Sequence, residues 1–324
     1  MADMPPKPVP LAREFRSARV LALLPVSDRT LWLWRLATDR RPAIRSARHL
    51  RIHNRSIASS YDGAAIRLRT YCPRNSSVPT PALIWLHGGG YVMGRPEMDD
   101  RWCIRCARSL GITVVSVDYR RAPEHPFPAP LEDAYAALLW MHSHGDDLGI
   151  DPGRIAVGGA SAGGGLAAAL AQLAHDREQC RPACQLLVYP MLDDRTTCPP
   201  DLSAVALAWT PDSSRYGWDA YLRSGEQSIA PPDHAVPARR NDLSGLPPAW
   251  IGVGACDLFR DESLAYAHRL RQAGVRAKAC IVPGAPHAFD VVAPRAPSTR
   301  AFRRAQFDFL IEHLFPTDPD GLSP

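Results

Sequence analysis

The sequence predicts a doubly wound α/β sheet. Three observations carry that prediction. From about residue 80 onward, short β-rich apolar runs alternate with helical patterns. The runs are continuous rather than alternating in polarity, as suits strands buried on both faces of a parallel sheet. Two strand-to-loop junctions, "LHGGGYVMG" and "VGGASAGGG", are rich in glycine, so the backbone there must approach something closely.

Residues 1–45 carry the amphipathic pattern "REFRSARVLALLPVSDRTLWLWRLA", with no evident sheet partner, and are expected to form an N-terminal cap segment. Segments near 46–53 and 64–71 are expected to add antiparallel edge strands. The buried strands are then "ALIWLH" (82–87), "ITVVSVDY" (112–119), "RIAVGGA" (154–160), "QLLVYP" (185–190), "AWIGVGA" (249–255) and "AKACIVP" (277–283). Helical patterns occupy 131–144, 163–176, 261–274 and 299–314, and Gly274 closes the third of them as a C-terminal cap. Residues 191–248, rich in Pro, Asp, Arg and Trp, break the rhythm and read as a second cap-contributing insertion. The expected organisation is one catalytic domain over 46–318, the cap segment before it, and a short tail at 319–324.

Composition narrows the function classes. Apolar residues make up 46% and charged residues 22% of 324, ordinary for a globular protein. The net charge of +5 rests on scattered arginines without a run of like charge, so no nucleic-acid partner is expected. No stretch reaches the ~20 apolar residues of a membrane span, and no targeting segment is convincing; a cytoplasmic protein is expected. Eight cysteines diluted over the chain fit reduced thiols. Cys103-Ile-Arg-Cys106 has redox or zinc spacing but lacks a second CxxC or HxxxH, so neither a redox nor a zinc role is expected of it.

The glycines do not make a phosphate cradle. Gly159 and Gly164 have P-loop spacing, but Gly165-Leu166 follows instead of lysine, and no G-x-G-x-x-G can be drawn from Gly158 to Gly165. What fits is G-x-S-x-G, Gly159-Ala160-Ser161-Ala162-Gly163, between a strand and a helix. A serine in such a turn is held in a strained conformation that projects its hydroxyl, and small neighbours are required on both sides.

A nucleophilic serine needs a base, a group to orient it, and donors for an oxyanion. His87-Gly88-Gly89-Gly90 directly follows a strand, and consecutive glycines leave backbone N–H groups unobstructed. N–H groups of this glycine run, with that of Ala162, are the candidate donors. Later, "GACDLFRDES" places Asp257 just past a strand, and "VPGAPHAFD" places His287 after the last strand. The order Ser161, Asp257, His287 is that of an α/β-hydrolase sheet. Asp261 competes as the acid but opens the next helix, and Asp290 follows the histidine too closely.

These motifs, with "VDYRRAPEHPFPAPLEDAYAAL", "YPMLDDR", "DLSGLPPAWIGVGACDLFRDE" and "YAHRLRQAGV", resemble the hormone-sensitive-lipase family of α/β-hydrolases from about residue 80 to 315. The resemblance implies a mostly parallel eight-stranded sheet flanked by helices, with a helical cap. It implies a serine carboxylesterase without metal or cofactor for short- to medium-chain acyl esters, a small-molecule ester as substrate, and a homodimer by analogy. It assigns the nucleophile to Ser161, the acid to Asp257, the base to His287 and the oxyanion hole to Gly88, Gly89 and Ala162. Two positions depart from common family patterns: Ala160 stands where many members carry Asp, and Ala288 where many carry Gly. An amidase or longer-chain lipase on the same triad, or a small-molecule receptor, are the alternatives.

Overall fold

In a computed structural model of the chain, residues 10–17, 24–74, 79–202, 209–223 and 231–315 are described. The apolar runs pair into one sheet of eight strands: β1 (Leu50–Ala58), β2 (Ala65–Pro73), β3 (Thr80–Leu86), β4 (Thr113–Asp118), β5 (Ile150–Ala160), β6 (Gln185–Val188), β7 (Ala249–Cys256) and β8 (Ala277–Pro286). Their spatial order is β1-β2-β4-β3-β5-β6-β7-β8. β2 runs antiparallel to both β1 and β4, and every other pairing is parallel. The edge strands expected near 46–53 and 64–71 are therefore present, each shifted a few residues toward the C-terminus.

Between the strands lie α1 (Leu31–Asp39), α2 (Asp100–Leu110), α3 (Ala129–Ser143), α4 (Gly145–Leu148), α5 (Ala162–Arg177), α6 (Pro211–Leu222), α7 (Arg260–Gln272), α8 (Phe289–Val292) and α9 (Pro297–Leu314). The period of two in β3 sorts the core. Ala82, Ile84 and Leu86 face α3, α5 and α7, while Leu83 and Trp85 face α2 and α9. Helix α7 ends as its sequence requires: Gly274 takes a φ of +79°, its N–H reaches the Arg271 carbonyl at 3.0 Å, and Val275 N–H reaches the Leu270 carbonyl at 2.9 Å.

Helix α2 was not among the expected helices. Cys103 and Cys106, separated by three residues, lie on its buried face, and burial pushes both thiols well above the ordinary cysteine range. The CxxC spacing is a helical repeat turned to the core. All eight cysteines are thiols rather than disulfides.

Outside the sheet, two segments lean on each other over the ends of β3 and β5. Val26 N–H donates to Ser213 Oγ at 2.9 Å and Tyr216 Oη–H donates to Asp28 at 2.9 Å, joining the approach to α1 with α6. Arg35 fastens α1 to the body: it donates to the carbonyls of Val92 (2.8 Å) and Ala122 (2.9 Å) and pairs with Glu124 at 2.6 Å. Of the apolar residues noted in the N-terminal segment, Leu24 and Trp34 turn toward a cavity described below, and Leu21 and Leu23 lie outside the described residues. No helix among the described residues is long and apolar enough to cross a membrane.

Candidate active site

β3 and β5 are neighbours in the sheet, and the chain leaves both at the same edge. β3 delivers His87-Gly88-Gly89-Gly90 and β5 delivers Ser161, so the two glycine-rich junctions face each other. A methyl group built on Gly88 would lie 3.3 Å from the Ser161 Cβ. β7 ends at Cys256 and β8 at Pro286, so Asp257 and His287 emerge at the same edge.

The turn at Ser161 is held in a conformation its own residue type disfavours. Its φ is +57° and its ψ −123°. Hydrogen bonds fix it there: Ser161 N–H to the Val188 carbonyl at 2.9 Å, and its carbonyl from Gly165 and Met191 N–H, each at 3.0 Å. Gly159 and Gly163 meet backbone to backbone. A Cβ on Gly163 would collide with the carbonyl oxygens of Leu86 and His87, which is why the motif needs glycine.

The side chains of Ser161, His287 and Asp257 meet. Asp257 is fully buried and can only accept, so His287 presents Nδ1–H to it at 2.8 Å. That tautomer leaves Nε2 as an acceptor for the Ser161 hydroxyl at 2.9 Å. The other Asp257 oxygen accepts the N–H of Phe259 at 3.0 Å. Tyr189 and Phe259 pack edge-on against the imidazole, with ring centroids 4.8 and 5.1 Å away. The competing acids lie elsewhere: Asp261 is exposed in the first turn of α7 and paired with Arg260, and Asp290 accepts the Tyr189 hydroxyl at 2.8 Å.

Gly89 and Gly90 adopt φ of +127° and +59°, turning the chain after β3 as only glycine does readily. The structure gives no intramolecular acceptor for the N–H of Gly88, Gly89 or Ala162 among the described residues. For Ala162 this follows from its place at the start of α5. His87 positions the loop. Its ring is fully buried, stacked on Tyr119 at 4.3 Å, and donates Nδ1–H to the Gly88 carbonyl at 2.8 Å. Because a trans peptide sets C=O and N–H on opposite sides, holding the Gly88 carbonyl aims the Gly89 N–H the other way. Burial pulls the His87 pKa down to about 4, so the ring stays neutral.

These groups border a cavity of about 230 Å³. Ser161, His287, Gly88 and Gly89 form its floor, and Trp34 and Trp209 stand among its apolar lining. Trp209 and α6 close on the glycine loop: a Cβ on Gly90 would strike the Trp209 ring, and one on Gly217 would lie 2.6 Å from the Gly90 carbonyl. Ala288, next to the histidine, lines the same cavity and carries a φ of +55°, a conformation glycine would take with less strain. Tyr189, Phe259 and Trp209 had no signal in the sequence, because their contacts with His287 join segments far apart in the chain.

Comparison with known proteins bears on the fold and on the class of activity. A family model described as the alpha/beta hydrolase fold matches residues 83–291. The carboxylic ester hydrolase LipN of Mycobacterium tuberculosis is 41% identical over 215 residues, 64% of this chain and 57% of LipN's own length. The carboxylesterase NlhH of the same organism is 38% identical over 259 residues, covering 76% of this chain and 79% of NlhH. Among solved structures, a bacterial heroin esterase superposes with a TM-score of 0.86 at 36% identity, covering 94% of this chain and 98% of that one. The chain belongs to the hormone-sensitive-lipase-like family of the α/β-hydrolase fold and is a carboxylic ester hydrolase.

Proposed function

We propose that the protein is a serine carboxylesterase acting on short- to medium-chain acyl esters through Ser161, His287 and Asp257. The observation that carries this reading is the unbroken relay of hydrogen bonds, 2.9 Å from Ser161 to His287 and 2.8 Å from His287 to Asp257, beside backbone N–H groups without acceptors among the described residues. His287 takes the hydroxyl proton as Ser161 attacks the ester carbonyl, and Asp257 holds the tautomer and stabilises the imidazolium. The N–H groups of Gly88, Gly89 and Ala162 receive the oxyanion. The alcohol leaves with the proton from His287, and water repeats the path to release the acid.

The segments around α1 and α6 act as the cap. Leu24, Val26 and Trp34 from one, and Trp209, Thr210 and Ser213 from the other, line the cavity above the serine. At about 230 Å³ the space is smaller than a typical drug-sized pocket, which favours acyl groups of a few carbons.

Ser161→Ala is expected to lower kcat for a short-chain p-nitrophenyl ester by a factor on the order of 10⁴ or more. A fluorophosphonate probe labels the wild-type serine and leaves the variant unlabelled. Turnover surviving in the variant removes Ser161 from the mechanism, and an unlabelled wild type points to a receptor. Over an acyl series from acetyl to dodecanoyl, kcat/KM is expected to peak at the short end; a maximum at the longest esters overturns the size argument.

A further inference from the structure

Asp99 stands at the N-terminal cap position of α2, where an aspartate ordinarily accepts a backbone N–H of the first turn. Here its side chain makes no such bond. Instead Oδ2 accepts the Trp85 indole N–H at 2.8 Å, and no other donor and no ion-pair partner for this carboxylate is found among the described residues. It is incompletely buried, and it lines both the cavity above Ser161 and a smaller neighbouring one of about 100 Å³.

Its surroundings suit a cation. Among the described residues, Asp99 is the only Asp, Glu, Lys or Arg in the lining of the Ser161 cavity. The other walls there are mainly apolar and include the rings of Trp34, Tyr189 and Trp209. A carboxylate partly removed from water without a counter-charge is costly, and a cation set between it and aromatic faces offsets that cost. Burial together with Asp290 and Asp100 pushes the Asp99 pKa up to about 6, against the pull of the Trp85 hydrogen bond and of Arg41. The arginines nearby, Arg41, Arg101 and Arg303, line the smaller cavity, where Arg303 is turned to the carbonyls of Asp290 and Pro294.

We propose that Asp99 is a specificity-determining residue that selects ester substrates carrying an ammonium group near the scissile carbonyl. The inference rests on the Ser161 esterase reading and names a substrate class for it.

Two pairs of esters of matched shape test it on the purified full chain. Acetylcholine against 3,3-dimethylbutyl acetate places the charge on the alcohol side. The p-nitrophenyl esters of 4-(trimethylammonio)butanoate and 5,5-dimethylhexanoate place it on the acyl side. At pH 8 the ratio of kcat/KM, charged over neutral, is expected to reach roughly tenfold in one pair and to fall toward one in Asp99→Asn. A ratio at or below one in both pairs, or one unchanged in the variant, overturns the proposal. Should Asp99→Asn fail to fold, the wild-type ratio between pH 8 and pH 5 decides. The quaternary charge does not titrate and His287 acts on both members alike, so the ratio falls with protonation of Asp99, and a flat ratio overturns it. Hydrolysis of the neutral esters without charge preference sinks this inference alone. Absence of hydrolysis and of fluorophosphonate labelling sinks the esterase reading and this inference with it.

Discussion

At the scale of single residues, the least obvious contribution is that of His87, which touches neither Ser161 nor His287 by hydrogen bond. Its bond to the Gly88 carbonyl sets the direction in which the next N–H points. His87→Phe keeps a ring to stack on Tyr119 but removes that bond. We expect kcat to fall roughly tenfold with KM nearly unchanged, because the lost alignment matters only when charge develops on the ester oxygen. A steady-state kcat and KM comparison on one p-nitrophenyl ester checks it, and an equal rise in KM would mean the residue serves binding instead. Ser161, Asp257 and His287 were legible in the sequence because each sits at a strand end in a characteristic order. Asp99 was not, since nothing in the local "EMDD" separates a capping aspartate from one turned into a cavity.

At the scale of elements, strands announced themselves through runs of Val, Ile and Leu, whereas α2 did not. Its exposed positions carry arginine and its buried positions are Asp100, Cys103, Cys106 and Ala107, so it shows no run of large aliphatic residues. The antiparallel β1 and β2 were visible only as segments because β1 is largely exposed and lacks a continuous apolar run. Helix α7 holds a second feature that sequence conceals. Glu262 is buried, accepts the Leu192 N–H at 2.7 Å and the Thr196 hydroxyl, and has no cationic partner among the described residues. Burial raises its pKa well above the ordinary carboxylate range. The folded state therefore favours the protonated form. The stabilisation is complete below the unfolded pKa and is lost as pH rises toward the folded one. Glu262→Gln keeps both hydrogen-bonding partners without the titration. Its melting temperature is expected to exceed that of the wild type by about 3 °C at pH 8 and by less at pH 5. Thermal melts at the two pH values test the sign, and a gain larger at pH 5 would contradict it.

For the whole molecule, the sheet gathers at one edge groups that are 126 residues apart in the chain, as Ser161 and His287 are. That convergence was the part of the fold most readable beforehand, because alternating strands and helices admit few arrangements. How α1 and α6 meet was not readable. It depends on single bonds such as Val26 to Ser213, which no periodicity encodes. The left-handed backbone at Ser161 has a consequence for the chain as a unit. On the proposed mechanism a contorted main chain is endured for the sake of a well-aimed hydroxyl, so reactivity and endurance pull against each other at this one residue. Ser161→Gly, expected to be inert as an esterase, should outlast its parent on heating, with a melting temperature about 3 °C higher by calorimetry. Were the two to melt together, the tension at the elbow would be too slight to matter, and a hardier enzyme would not have to be a slower one.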